Sequence, residues 1–567
     1  MVAETTSAHG GEEDTVVNQY DLISVGGGLG GFVAALRAHE LGLRPLILEK
    51  TNLLGGVAAY SGGSAWIPNT DIARAAGYDD TPQAAARYMD FLGDGKAVID
   101  EQLRDAFLAS GPEAIRFLTD IGVPFHVTDT PDSAFPNGDG SKRAGRVLGV
   151  IFNGIELGRY QAMLRRSPYY PRPGISHMEL NAAGSFRQAV ADAAAELDER
   201  TRNDRLTFGG GLMASLIHAA LLERGIECRT RSRALRLLAD EGRVVGVVFS
   251  REDGAEVTAH GAVMLATGSY GYAPFAAQLE GLPDFSEQAP PVGEGDALLL
   301  AGDVGAAVVR AGNGFCTIGF RSKRFHPGTR IPMHLPLIGS VGLPHGIVVN
   351  QKGRRFGDES QHGTFMSAFR GTGGYGGVRF ENWPAFWICD DEFRREGHEI
   401  MGARDSWPGE DLVRSDTLAQ LADALEIDRA GLESTVGRFN EFATTGHDLD
   451  FDRGAHAGFR PNRNEERLPN PSLGALTRPP FWGARVQILG AGMGSHGLRI
   501  DAKGRVLSWR GLPIEGLYAT GNATAFTDHP FGYQDGLANA RNITYAFIGA
   551  TTAAATTERT ATALTTR

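Results

Sequence analysis

Residues 21–31 read Asp21-Leu-Ile-Ser-Val-Gly-Gly-Gly-Leu-Gly-Gly31, an apolar strand pattern that runs straight into a glycine cluster. Gly26, Gly28 and Gly31 fill a G-x-G-x-x-G spacing, and an apolar helical pattern follows them. The first glycine permits a tight turn, the second lets backbone approach a pyrophosphate, and the third lets the helix pack close to the sheet. A pyrophosphate placed there meets unpaired N–H groups and the positive end of the helix dipole. The next apolar run, Pro45-Leu-Ile-Leu48, closes on Glu49, where an acid accepts hydrogen bonds from an adenosine ribose. A second glycine run, Gly371-Thr-Gly373-Gly-Tyr-Gly376, fits the same spacing. No apolar strand precedes it and no helical pattern follows, so it reads as a plain glycine loop. Strand, helix and acid together make the N-terminal stretch a dinucleotide site.

Working outward, strands and helical patterns alternate, which predicts an α/β fold. A glycine-rich loop follows the first βαβ unit, then a largely helical stretch to about residue 120. Gly209–Glu223 reads as a loop and an amphipathic helix leading to strands at 232–238 and 243–249. Ala262–Gly268 reads as a buried strand ending in a glycine turn. From about 324 to 490 aromatic residues, prolines and charges mix and the strand alternation weakens. Gly516-Leu-Tyr-Ala-Thr-Gly-Asn522 then returns to the strand-and-glycine form, and Leu537–Gly549 reads as a final helix. The expected organisation is a tail over 1–17, a Rossmann-type nucleotide-binding domain over 18–323 and 491–552, and a cap domain of α+β type inserted over 324–490. A disordered tail is expected over 553–567.

A chain of 567 residues with 42% hydrophobic and 22% charged content has the composition of a soluble globular protein. The net charge of −12 speaks against nucleic acid as a partner. Cys228, Cys316 and Cys389 are scattered with no C-x-x-C pair, which points to a reduced, cytoplasmic protein without a structural zinc site. No apolar stretch reaches the roughly 18 residues needed to span a bilayer, and residues 1–17 lack the features of a secretory signal.

Five segments, in order, resemble the 3-ketosteroid dehydrogenase-type flavoproteins within the fumarate reductase/succinate dehydrogenase flavoprotein superfamily. They are the fingerprint with Glu49-Lys50, and Tyr60-Ser-Gly-Gly63 with Trp66-Ile-Pro68. Then come Gly293-Glu-Gly-Asp296, Gly346–Asn350 with Gly353-Arg-Arg-Phe356 and Glu359, and Gly516–Asn522. The resemblance implies non-covalent FAD, because the branch that attaches its flavin uses a histidine in the loop held here by Ala58 and Ala59. It places the cofactor against Gly26, Gly28, Gly31, Glu49, Lys50, Gly55, Gly56, Ser61, Gly62 and Gly63. Ala234, Thr267, Gly268, Gly521, Asn522, Gly536 and Leu537 complete the implied contacts. Asn350 and Glu359 read as structural, and His496 as either a loop residue or a flavin neighbour.

The implied reaction introduces a C=C bond α,β to the carbonyl of a cyclic ketone, either a 3-ketosteroid or a smaller alicyclic ring. A base takes the α-proton and the β-hydrogen leaves as hydride to flavin N5. Electrons are expected to pass on to a quinone, oxygen or a carrier protein. In this family a tyrosine and a glycine N–H hold the carbonyl. The glycine falls on Gly536; the tyrosine position falls on Gly532, with Tyr533 beside it. The family's base position falls on Gly363, preceded by His362, so His362 is the first candidate base. His529, Tyr375, Tyr169 and Tyr170 are the others. A fumarate-reductase-like reduction of an activated C=C bond is the alternative, with Arg321, Lys323, Arg324, His326 and Arg330 as carboxylate anchors.

Overall fold

The computed structural model describes residues 18–92, 99–132, 138–170, 174–311, 316–360, 362–369, 372–373, 379–403, 407–455, 468–528 and 534–565. The first strand β1 (Asn18–Val25), the helix α1 (Leu29–Glu40) and the strand β2 (Pro45–Leu48) form the βαβ start expected from the sequence. β1 lies at the centre of an eight-stranded sheet. It pairs in parallel with β2 on one side and with Glu256–Leu265 on the other, and Pro513–Ala519 and Glu227–Arg229 extend the parallel set. Val25 is level with Leu48 and Leu265, and Leu265 with Ala519, so the carboxyl ends of four strands finish on one edge. Leu22, Ile23, Phe32, Val33, Leu46 and Ile47 are fully buried between this sheet and its helices. Burying such side chains contributes about 1.5–3 kcal/mol each, which holds that edge in place.

A second, seven-stranded sheet forms the other lobe. Its path runs Pro332–Pro336, Cys316–Phe325, Phe481–Gly490, Ala385–Cys389, Gly346–Asn350, with Ser286–Glu287 and Val413–Ser415 also on Phe481–Gly490. The expected boundary at 323 therefore falls inside a strand of this lobe, whose first strand comes as early as Ser286. The expected boundary at 490 coincides with a strand end. Sequence patterning missed the early start because the short strand Ser286–Glu287 carries no alternation to read.

The C-terminal helix runs from Leu537 to Thr565, so the tail expected from 553 is helical instead. Ala553 and Ala554 are buried, and Thr551 Oγ1 accepts a hydrogen bond from Arg37 Nε at 3.0 Å. Thr551, Thr552, Thr556 and Thr557 each donate to the carbonyl four residues back, which satisfies their hydroxyls within the helix. Alanine supplies the rest through its helix propensity. Among the described residues no helix is long and apolar enough to cross a membrane.

Candidate active site

One cleft takes in the carboxyl edge of the first sheet and reaches the second lobe. Val25, Leu48, Ala266 and Thr520, at or just past the ends of the parallel strands, line it. This is where open α/β sheets bind ligands. Gly26 has φ +117°, and a Cβ there would come within 2.4 Å of the Ala266 carbonyl oxygen. Gly28 caps α1 with no side-chain hydrogen bond, so the first N–H groups of the helix are left for a ligand. Gly31 does not line the cleft; a Cβ on it would stand 1.9 Å from Gly26 O, so its task is to let α1 sit on the turn.

The buried Glu49 holds this turn from the end of β2. Its Oε2 accepts from Gly27 N at 2.9 Å, and its Oε1 accepts from Thr51 N at 2.8 Å and Thr51 Oγ1 at 2.9 Å. Lys50 Nζ turns to Glu294 Oε2 and Asp296 Oδ2, both at 2.6 Å, and Arg233 joins the same two carboxylates. Ala234, Thr267, Gly268, Asn522, Gly56 and Gly63 also line the cleft, as do Ser61, Gly62 and Gly536. Gly55, Gly521 and Leu537 are not on its wall. Gly55 packs with φ +114° against Ala59, and Gly521 against Asn542. Leu537 is buried at the start of the last helix. Thr267 Oγ1, Asn522 Oδ1 and Asn542 Oδ1 are buried without a hydrogen-bond partner. Buried polar atoms without protein partners on a cleft wall are suited to a polar ligand, so these atoms and the glycine cradle fit a dinucleotide.

At the other pole the loop Ser61–Ser64 meets the start of the C-terminal helix. Asn539 Nδ2 donates to Ser64 O at 2.9 Å, Trp66 N donates to Gly536 O at 3.1 Å, and Ser64 Oγ donates to Asp535 Oδ2 at 3.4 Å. Gly63 (φ +66°) lies so close to Phe208 that a Cβ would stand 2.0 Å from the Phe208 carbonyl carbon. Tyr170 stacks on Phe208 with centroids 4.4 Å apart, and His177 packs edge-on to the same ring at 4.4 Å. His177 Nε2 is 3.0 Å from Ser64 Oγ, and burial pushes its pKa down to about 4. Tyr60, Tyr170, Ile338 and Met401 make this end aromatic and apolar.

The structure separates the candidate bases. Tyr169 is committed: its hydroxyl donates to Gln288 O at 2.9 Å and His334 O at 3.1 Å. Tyr170 lines the cleft, and burial together with the Asp535 charge drives its pKa up. Tyr375, His529 and Tyr533 lie outside the described residues. His362 begins the helix His362–Phe369, and its side chain is likewise outside them. Glu359 is structural, as expected: it accepts from Val348 N at 3.1 Å and pairs with Arg355. Asn350 ties its own turn through Lys352 N and Arg354 N. His496 sits in the strand His496–Leu498 with Nδ1 2.9 Å from Ser495 Oγ, away from the cleft wall.

The cations expected to anchor a carboxylate do not reach the cleft. Arg321, Lys323 and Arg330 are exposed, Arg324 is bonded to Gly402 O, and the buried His326 stacks behind Tyr60. They belong to a strand and turn of the second sheet whose exposed side faces solvent, the usual place for a charge cluster. Of the described residues in the cleft, sequence reading did not single out Ser64, Asp535, Asn539 or Asn542. Each is an ordinary polar residue, with no spacing signal that sets it apart.

Comparison with known proteins agrees with this geometry. Residues 21–533 match the FAD binding domain family. The chain is 32% identical over 524 residues to 4-oxocyclohexanecarboxylate 2-dehydrogenase of Sinomonas cyclohexanicum, covering 89% of this chain and 88% of that protein. It is 29% identical over 555 residues to 3-oxosteroid 1-dehydrogenase of Mycobacterium tuberculosis, covering 90% and 93%. The crystal structure of 3-ketosteroid delta1-dehydrogenase from Sterolibacterium denitrificans, in complex with 1,4-androstadiene-3,17-dione, superposes with a TM-score of 0.82 at 28% identity, covering 95% of this chain and 100% of that one. A glycine cradle on a parallel sheet edge, an acid at the end of β2 and these near full-length likenesses have one common reading: the chain belongs to the FAD-binding flavoprotein family and is an FAD-dependent oxidoreductase of the 3-oxosteroid dehydrogenase type.

Proposed function

We propose that the protein introduces a C=C bond α,β to the carbonyl of a cyclic ketone, a 3-ketosteroid or a smaller alicyclic ketone. The observation that carries the reading is Gly536. Gly536 lines the cleft immediately before Leu537, the first residue of the C-terminal helix, and the adjacent wall is aromatic and apolar. A helix start directs N–H groups and positive potential at an anion. A carbonyl oxygen that gains charge as the α-proton leaves is such an anion, and one fixed donor of this kind is typically worth about 10²–10³ in rate. The relatives act on a steroid ketone and on a cyclohexanone carboxylate by name, which supports both ends of the size range.

FAD, when bound, supplies the two-electron acceptor for the β-hydrogen. The first turn of α1 would hold its pyrophosphate and Glu49 its ribose, with Ala234, Thr267, Gly268 and Asn522 along the wall. Ser61, Gly62 and Gly63 would border the flavin. We infer non-covalent attachment, since Ala58 and Ala59 occupy the loop next to Tyr60. Denaturation should release the flavin into the supernatant. Tyr533, His529 and His362 remain proposed partners of Gly536. The electron acceptor is proposed to be a quinone, oxygen or a carrier protein, and three cysteines that form no disulfide support an intracellular setting.

Anaerobic mixing of the holoenzyme with 3-ketosteroids and with cyclohexanone-type ketones tests the reading. Bleaching of the flavin band by either class is expected. No bleaching by both, with reoxidation of reduced enzyme by enoates, would replace it with the ene-reductase alternative.

A further inference from the structure

Ser64, His177 and Asp535 come from three distant parts of the chain and meet at one point of the cleft, next to Gly536. His177 Nε2 lies 3.0 Å from Ser64 Oγ, and Ser64 Oγ donates to Asp535 Oδ2 at 3.4 Å. Ser64 is 1% exposed, so this hydroxyl is not a surface group answering to solvent. Asp535 lines the cleft itself. It immediately precedes Gly536, and covalent geometry sets a side-chain carboxylate and the next residue's N–H about 3–5 Å apart. A ketone whose oxygen sits on the Gly536 N–H therefore has its α-carbon within reach of the Asp535 carboxylate.

We propose that Asp535 is the base that removes the α-proton, with Ser64 and His177 positioning its carboxylate. The assignment rests on the ketone-desaturating reading of the site. In the step, the Cα–H bond breaks, its proton forms an O–H bond on Asp535 Oδ, and its electron pair becomes the enolate C=C. The negative charge comes to rest on the carbonyl oxygen, at the Gly536 N–H. A carboxylate in a largely apolar site is a competent base for such a proton.

The neighbouring titratable groups are suited to other tasks. Burial pushes Tyr60 up to about 12, and burial and the Asp535 charge raise Tyr170, so both phenols keep their protons near neutral pH. They can donate to a ligand but are poorly placed to accept from one. His177, held down to about 4 by burial and by His126, stays neutral. A neutral imidazole can donate Nε2–H to Ser64 Oγ, which leaves the serine hydroxyl free to donate to Asp535. That chain holds the carboxylate where it lines the cleft, beside Gly536.

The test is exchange of substrate α-protons with D2O, followed by NMR under anaerobic conditions, alongside the rate of flavin reduction. Asp535→Asn is expected to keep FAD and ligand affinity within about threefold, yet to lose both exchange and reduction by about 10²–10⁴. Asp535→Glu should recover part of the exchange, and Ser64→Ala should lose less than Asp535→Asn and shift the pH profile of reduction. Retention of exchange within tenfold in Asp535→Asn, or the full loss in Tyr170→Phe instead, overturns the assignment while the functional reading stands. A wild-type enzyme that neither exchanges the α-proton of any cyclic ketone nor is reduced by one overturns the functional reading and this assignment together.

Discussion

Trp66 N donates a hydrogen bond to Gly536 O at 3.1 Å, and a Cβ on Gly536 would stand 2.7 Å from that same nitrogen. The two residues therefore lock the Ser61–Ser64 loop to the start of the C-terminal helix, and only glycine can occupy position 536. Its φ of +83° independently disfavours any side chain. Gly536→Ala should destabilise the protein by about 1–3 kcal/mol from backbone strain. It should also lower kcat by at least about 10² through displacement of the proposed carbonyl donor. Thermal unfolding and steady-state kinetics on the same preparation check both. An alanine variant with wild-type turnover would remove Gly536 from the chemistry.

At the opposite pole, Glu49 makes three hydrogen bonds that shape the glycine turn and holds the position proposed for a ribose acceptor. Bonds to a charged group are worth about 1.5–3 kcal/mol each. Glu49→Ala should therefore weaken FAD binding at least about tenfold, since 1.4 kcal/mol is a factor of ten. Fluorescence titration of apoenzyme with FAD measures this directly. Glu49→Gln, which keeps one acceptor oxygen, should fall between wild type and alanine.

The two poles differed in how far the sequence revealed them. Gly26, Gly28, Gly31 and Glu49 sit within one short βαβ unit, and backbone geometry allows only glycine at the turn and at the close approach of α1 to it. Local spacing is then a direct record of the physics. His177 and Asp535 lie 113 and 471 residues from Ser64, and folding alone brings the three together. A resemblance could align Gly536 because it follows Gly521-Asn522 at a fixed, ungapped distance. It could not say which side chains surround it. The Ala- and Thr-rich end was misread for a related reason: its composition carries no charge pattern, while its order comes from packing that buries Ala553 and Ala554 and from the bond of Thr551 to Arg37 of α1.

A pH-dependent clasp lies in the second lobe, where Glu396 contacts His345 at 3.5 Å and His398 at 3.2 Å. Bonding to His345 and then to His398 holds the Glu396 pKa well below the carboxylate range. Burial lowers that of His345, but Glu396 and the Ala475 carbonyl outweigh it, and the net shift is upward. The raised histidine stabilises the fold below its ordinary 6.5 and loses that contribution as pH rises through its folded value. The depressed carboxylate stabilises above its ordinary 4.5 and loses its contribution as pH falls. The clasp is therefore strongest between about pH 4.5 and 6.5. Glu396→Gln should cost about 1.5–3 kcal/mol near pH 5.5 and less at pH 8. Melting curves across this range should show the variant's Tm changing less with pH than that of wild type.

Asp528 and Arg541 form a fully buried pair, with Arg541 Nε 2.6 and 2.8 Å from the two carboxylate oxygens. Arg541 also donates to Ala525 O at 3.0 Å and lies over the Phe526 ring at 3.9 Å. The pair ties the chain just before the Gly536 segment to the helix that follows it. Two charges removed from water are costly, and breaking one partner leaves the other unpaired, typically at about 3–5 kcal/mol. Asp528→Asn should lower stability by that amount and loosen the approach to Gly536, so kcat should fall with Tm. Replacing both partners by apolar residues of similar volume removes the unpaired charge as well as the bond. The Asp528→Leu/Arg541→Met double variant is accordingly expected to be more stable than Asp528→Asn while staying below wild-type activity. Denaturant unfolding of the three proteins decides it: a double variant no more stable than the single one would mean that the packing around Phe526 and Tyr545, not the buried charge, sets the cost.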